Sequence, residues 1–361
     1  LAISAAEDAI NTANITPNDI QYSIISNVFG VADKQVHLSP VITTNLGIPH
    51  VPGLTVESAC GSGSIALREG YANVAAGFYD VVLVVGVEKV THTGTARSTT
   101  LFSYCSDFFY EGGSGVTFPG LFASMARAYM HKYEANEEDL ALVAVKNHEN
   151  GMLNPKAHVR KRISVDDVLR SPPVASPLKL LDCCPFSDGA SAVILASEEF
   201  AKKSGADYIE IIGSGRGASP ATLQGRDDVT TIPSTRAAAQ QAFKQARIEP
   251  KDVDFAEVHD CFTIAEIVDI EDLGFFEKGE GVNAVREGIT RLDGELPINP
   301  SGGLKSKGHP IGATGVGQVV EVYEQLLGRA GARQVKNAEI ALTHNFGATG
   351  ASCAVHIFRR V

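Results

Sequence analysis

Cys60 stands in the run VESACGSGSIAL, between a strand-like segment and a helix predicted to begin near Ser62. A thiol at a helix N-terminus meets unpaired N–H groups and the positive end of the helix dipole. Both favour the thiolate and are expected to lower a pKa that is ordinarily ~8.5. Gly61 and Gly63 let backbone or ligand approach closely. The other reading is a small buried cysteine packed at a tight turn. His309 lies in GGLKSKGHPIGATG, where Gly303 and Gly308 have the spacing of a phosphate loop. His309 and Pro310 replace the required Lys and Ser/Thr, so that motif fails. Pro310 suits the first turn of a helix, which would set the His309 ring at its N-terminus. There the dipole disfavours a second positive charge, and a neutral imidazole suits a general base for a nearby thiol. As an isolated residue His309 reads equally as a turn histidine.

His259-Asp260-Cys261-Phe262 closes a second cluster. It lies in an internal repeat: Ala5–Phe29 can be laid ungapped over Ala238–Phe262 at an offset of 233, with Ala, Ile, Pro, Asp and Phe identities in one register. The first-copy counterpart of the cluster is Ser26-Asn27-Val28-Phe29, so titratable groups occur in only one copy. Asymmetric polar residues at strand C-terminal ends of an α/β repeat point to an active site. The turn His344–Gly350 offers backbone N–H groups at a bend, which fits an oxyanion hole or a plain strand connection. No local spacing of His, Cys or Asp supplies three or four metal ligands, so no metal is expected. Cys105, Cys183, Cys184 and Cys353 read as packing residues, and Gly213–Gly217 opens no helix that would make a dinucleotide site.

The elements that must carry these residues follow an α/β rhythm. At 361 residues the chain is about 2.4 times a typical domain length. Its 44% hydrophobic and 20% charged residues describe a globular protein with a large core. A net charge of −11 argues against a general nucleic-acid or anionic-membrane binder. The longest apolar run, Val81–Val87, is far short of the roughly 20 residues that cross a bilayer, and reads as a strand buried on both faces. No signal peptide is visible, and six cysteines without a CxxC pair suit a reducing, cytoplasmic setting. The missing initiating Met suggests that the true beginning lies upstream.

Ala5–Phe29 and Ala238–Phe262 each predict an amphipathic helix, a Pro-Asx turn and a short strand. A second echo, Gly189-Ala190-Ser191 with Gly350-Ala351-Ser352, has an offset of 161, so the first half holds 72 more residues between its echoes. An insertion is therefore expected between Thr93 and Leu181. Two homologous α/β halves with a mainly parallel sheet and an excursion on the first half result.

In this order, ESACGSGS, SDGAS (187–191), HDCF (259–262), GHPIGATG (308–315) and HNFGATG (344–350) resemble the thiolase superfamily. The resemblance covers nearly the whole chain and is nearest the branch of sterol-carrier-protein-type and archaeal acetoacetyl-CoA thiolases. It implies an α/β fold of two βαβαβαββ halves stacked as α-β-α-β-α layers plus a loop domain. The expected division is 1–92 with 181–204, a loop domain at 93–180, and 205–361, with a first strand absent. It implies Cys60 as acyl-accepting nucleophile and His309 as its activator. His309, with a water held by His259, would stabilise the enolate oxygen, and the N–H groups of Cys60 and Gly347 would bind the acyl-enzyme oxygen. Where many thiolases have a second cysteine this chain reads Asn345-Phe346-Gly347, which leaves Cys261 as second acid/base.

The expected reaction is Claisen condensation of two acyl-CoA, or thiolysis of a 3-oxoacyl-CoA, with acetoacetyl-CoA as simplest case and no tightly bound cofactor. Lys156, Arg160, Lys161 and Arg162 are the candidates for CoA phosphates; a solvated loop is their other reading. A homodimer or tetramer is implied, and in this branch a small OB-fold zinc protein and HMG-CoA synthase as partners. The rival readings are a ketoacyl-synthase-like or HMG-CoA-synthase-like condensing enzyme, and a catalytically silent scaffold that binds CoA or a partner.

Overall fold

The apolar face read from the first residues is buried in the computed structural model, which describes residues 1–361. Ala6 and Ile10 turn α1 (Ala2–Thr12) onto the first sheet. A 3₁₀ turn at Pro17–Asp19 leads into β1 (Tyr22–Ser26). β2 (Gly53–Val56), helix α2 (Ser62–Ala75) and β3 (Val81–Glu88) follow, and β4 (Gly189–Ala196) completes the sheet. Its order is β2-β1-β3-β4, with β1 parallel to both β2 and β3, and β4 antiparallel to β3. The β3 residues Val81–Val85 are fully buried, as a strand covered on both faces requires.

The second half contains β5 (Ile209–Ala218), α3 (Pro233–Ala246), β6 (Phe255–Glu257), α4 (Thr263–Asp272), α5 (Ile311–Leu326), β7 (Ile340–Gly347) and β8 (Ser352–Arg360). Its sheet runs β5-β8-β7-β6, with only β6 and β7 parallel. The first sheet is mainly parallel as expected, with only its last pair antiparallel; for the second sheet the expectation is corrected, because two of its three pairs are antiparallel. The predicted repeat is a repeat of structure. α3, a 3₁₀ turn at Pro250–Asp252 and β6 follow one another as α1, Pro17–Asp19 and β1 do. Asp19 accepts the Thr16 N–H at 2.7 Å, and Asp252 accepts the Glu249 N–H at 2.8 Å.

The terminal hairpins show where the excursion enters. In the second half Gly347 pairs with Ser352, and residues 348–351 close the turn. In the first half Glu88 pairs with Gly189, and residues 89–188 occupy the same position. The excursion includes the helices Phe118–Tyr133 and Glu137–Leu153, and its residues join neither four-stranded sheet.

Helices α2 and α5 lie between the sheets and touch strands of both. They cross at glycines: a Cβ on Gly63 would lie 2.9 Å from the Gly315 nitrogen, and one on Gly315 only 2.2 Å from the Ser64 nitrogen. Any side chain here would push the helices apart, and the site with them. On the outer edges the halves differ. β5 covers β8, whereas the corresponding edge of β4 has no strand beside it and borders a groove of about 1440 Å³ between α1, β5 and α5. No helix is long and apolar enough to cross a membrane.

Candidate active site

Cys60 and His309 occupy equivalent places in the two halves, each two residues before a central helix, α2 and α5 respectively. Because those helices cross near their N-termini, the two residues meet. His259 arrives from the end of β6, and the Cys60 sulfur and one ring nitrogen of each histidine all lie within 4.8 Å of one another. All three side chains are buried. These three atoms make a set of the kind that can hold a metal ion. The set is built from three distant loops, which no local spacing can reveal.

The bend that presents Cys60 is made by Ala59, held at φ 48°, a left-handed conformation that costs a non-glycine residue of order 1 kcal/mol. Ser62 stabilises it by donating to the Ala59 carbonyl at 2.6 Å while accepting the Ser58 N–H at 2.8 Å. Opposite, Ala348 has φ 57° and points its N–H at the Cys60 sulfur, as does the N–H of Cys60 itself. Gly347, expected as the second oxyanion donor, is the last residue of β7, and His344–Gly347 extend the strand rather than form the turn. A Cβ on Gly347 would lie 2.4 Å from the Ser58 carbonyl oxygen, so the Cys60 loop can close on it only if it is glycine.

The tautomer of His309 follows from its neighbours. Thr314 donates its hydroxyl proton to the Pro310 carbonyl at 3.1 Å, so the same oxygen accepts Nδ1–H of His309 at 2.7 Å. Nε2 then carries a bare lone pair, and it has no partner. His309 stays neutral, its pKa pushed down to about 3 by burial and then by Lys307. The expectation of neutrality holds, but burial rather than the helix dipole is the main cause. Pro310 also caps α5 instead of opening its first turn. His259 is likewise held well below the usual imidazole range by burial and by His309. Its Nδ1 lies 2.6 Å from the Asn345 amide, its Nε2 has no partner, and its ring packs on Phe346 with centroids 4.3 Å apart.

For Cys60 the expected fall in pKa is overturned. Burial pushes the thiol up, Cys105 adds to this, and the two backbone N–H groups only partly offset it. Taking a charge out of water outweighs two hydrogen bonds. The resting nucleophile is therefore a thiol that must lose its proton to a base. Cys261 is buried, follows His259 in a tight bend, and has its pKa raised by burial, Cys184 and Cys60. Cys184 donates its N–H to the Cys261 carbonyl at 3.0 Å. Cys105 and Cys184, read as packing residues, thus border the same site.

Sequence reasoning missed several supports. Asp260 accepts the N–H groups of Leu304 (2.7 Å) and Lys305 (3.2 Å), anchoring the segment that leads to His309. Glu88 accepts N–H groups of Val28, Phe29 and Gly312, tying β1 and β3 to the start of α5. A buried acid at the end of an apolar strand was the available signal for Glu88. Thr314 and Asn345 had none, because their value depends on which ring nitrogen they face. The four cations singled out for CoA are all exposed. Lys156 pairs with Glu324 at 3.2 Å, and Arg160, Lys161 and Arg162 make no ion pair.

Two stacked pseudo-symmetric halves with a buried cysteine facing two histidines define a class of acyl-transferring enzymes, and the comparisons specify it. Residues 1–199 match the thiolase N-terminal domain, and residues 215–360 the thiolase C-terminal domain-like family. An acetyl-CoA acetyltransferase of Methanothermobacter thermautotrophicus is 46% identical over 353 residues, 98% of this chain and 92% of that protein. Sterol carrier protein 2 of Oryctolagus cuniculus is 34% identical over 98% of this chain and 66% of its own length. Among solved structures, the Ltp2-ChsH2(DUF35) aldolase has the same fold, with TM-score 0.85 and 24% identity over 100% of this chain and 92% of that one. The chain belongs to the thiolase family, and it is an acyltransferase of that family.

Proposed function

We propose that the chain joins two acyl-CoA molecules, acetyl-CoA in the simplest case, and runs the reverse thiolysis of acetoacetyl-CoA through an acyl-Cys60 intermediate. The observation that carries this is the bare Nε2 of His309 in the same 4.8 Å cluster as the Cys60 sulfur. His309 takes the Cys60 proton on Nε2 and keeps it as the sulfur attacks the thioester carbonyl; the departing CoA sulfur takes its proton from Cys261, which is left as a thiolate. The N–H groups of Cys60 and Gly347 receive the developing oxyanion, with the Ala348 N–H close by. The Cys261 thiolate then removes a methyl proton from the second acetyl-CoA and becomes a thiol again. The Nε2–H of His309, with a water on His259, donates to the enolate oxygen, and the enolate carbon attacks acetyl-Cys60, whose released sulfur takes the proton back from His309. No resident cofactor takes part.

The loop domain at 93–180, held within the 89–188 excursion and set between halves at 1–92 with 181–204 and at 205–361, supplies Arg160, Lys161 and Arg162 as unpaired cations for CoA phosphates, with Lys156 nearby. The exposed outer edge of β2 favours a homodimer through sheet edges, and a tetramer as two such dimers. A small OB-fold zinc protein, with HMG-CoA synthase beyond it, would dock on the exposed Phe109 and Tyr110 of the excursion. A cytoplasmic location accords with six free cysteines.

Mass spectrometry of the intact protein after exposure to a panel of acyl-CoA thioesters tests the reading. One acetyl group on Cys60, absent in Cys60→Ala, is the expected result. Labelling at another residue, or turnover by Cys60→Ala, defeats it.

A further inference from the structure

We propose that Cys60, His259 and His309 form a three-ligand site for a thiophilic divalent cation, zinc foremost, which closes the nucleophile reversibly. One sulfur and two imidazole nitrogens lie within 4.8 Å of one another, and each side chain belongs to a different, well-packed loop. Both histidines are more than nine-tenths buried, and both Nε2 atoms lack any hydrogen-bond partner. Buried polar atoms are seldom left unpaired, so two beside one thiol mark a place built to receive something.

The donor set suits zinc. Zinc takes sulfur at about 2.3 Å and imidazole nitrogen at about 2.0–2.1 Å, which puts ligand pairs about 3.3–3.7 Å apart in a tetrahedron. The largest separation here therefore has to close by about 1 Å, which small side-chain rotations supply. Three protein ligands leave a fourth position for water. The other nitrogens already have partners, and His309 is braced in the manner of zinc-site histidines, whose free N–H is held by an oxygen. Nδ1–H of His309 is on Thr314, and Nδ1 of His259 is on the Asn345 amide. The unpartnered Asn345 Oδ1 accepts Nδ1–H of His259 once the amide turns over. On binding, the Cys60 thiol releases one proton to solvent as its sulfur bonds the ion; nothing is oxidised or reduced. Cys105 and Cys184 border the sulfur but fall outside the cluster.

Cobalt(II) is the probe, because a cobalt–thiolate bond has a near-ultraviolet charge-transfer band. Titration of the intact protein should show one Co²⁺ per chain with that band, displaced by Zn²⁺ and removed by EDTA. Cys60→Ser should abolish the band. His259→Ala and His309→Ala should each weaken binding by about tenfold or more, whereas Cys105→Ser and Cys184→Ser should leave it intact. Circular dichroism confirms that each variant is folded. No band in the wild type, a band that survives Cys60→Ser, or unchanged affinity in the His259→Ala/His309→Ala double variant overturns the proposal.

Discussion

The Thr314 hydroxyl lies 2.7 Å from His309 Nδ1 and gives its own proton to the Pro310 carbonyl. It thereby decides which nitrogen of His309 is a base. Thr314→Val removes the acceptor and frees the ring to turn or change tautomer. We expect kcat to fall by about 10²-fold with little change in KM for acetyl-CoA, and Thr314→Ser to restore most of it. Steady-state kinetics with acyl-enzyme trapping measures this. Equal loss in the Ser variant would mean that the methyl group, and so packing, matters rather than the hydrogen bond.

Cys261 separates the two halves of the reaction. Cys261→Ala should still form acetyl-Cys60, because the Cys60–His309 pair is untouched. Condensation and thiolysis should drop by roughly 10²–10⁴-fold, the usual worth of a positioned acid/base. Exchange of acetyl-CoA methyl protons with deuterated solvent should vanish as well. Exchange that persists would assign the proton transfer to a histidine.

Arg160 and Arg162 are exposed and make no ion pair, so replacing both by Ala leaves no buried partner stranded. The double variant should raise KM for acetyl-CoA several-fold and spare a truncated pantetheine thioester that lacks the phosphates. Equal effects on the two substrates would remove this loop from phosphate binding.

Burial raises the pKa of Glu88 from 4.5 to about 7, against the N–H donors of Phe29, Val28 and Gly312. A raised carboxyl binds its proton in the folded state before it does so in the unfolded chain. The stability this contributes is fully present below pH about 4.5 and is lost as pH rises through about 7. Glu88→Gln cannot titrate. The stability of the wild type relative to the variant should therefore fall by about 3 kcal/mol between pH 4.5 and pH 8. Urea unfolding of both proteins across that range is the measurement, and a pH-independent difference would show that Glu88 does not titrate there.

What the sequence alone determined was repetition and local chemistry. The two Pro-Asx turns are legible because Asp19 and Asp252 hydrogen-bond three residues back, an interaction that requires no tertiary contact. β3 is legible because five consecutive β-branched or leucine side chains must be covered on both faces. The glycine-flanked positions of Cys60 and His309 were visible for the same reason: the strand-to-helix bend is written into their neighbours. Tertiary structure decided the rest. Parallel and antiparallel pairing turned on hairpins, one of which is hidden because residues 89–188 replace its turn. The protonation of Cys60 was misread because a helix N-terminus is a local feature, while desolvation sums over everything packed around the sulfur. His259, His309 and Cys60 became one cluster only when α2 and α5 crossed at Gly63 and Gly315, since a contact between residues 249 positions apart depends on the packing of the whole chain.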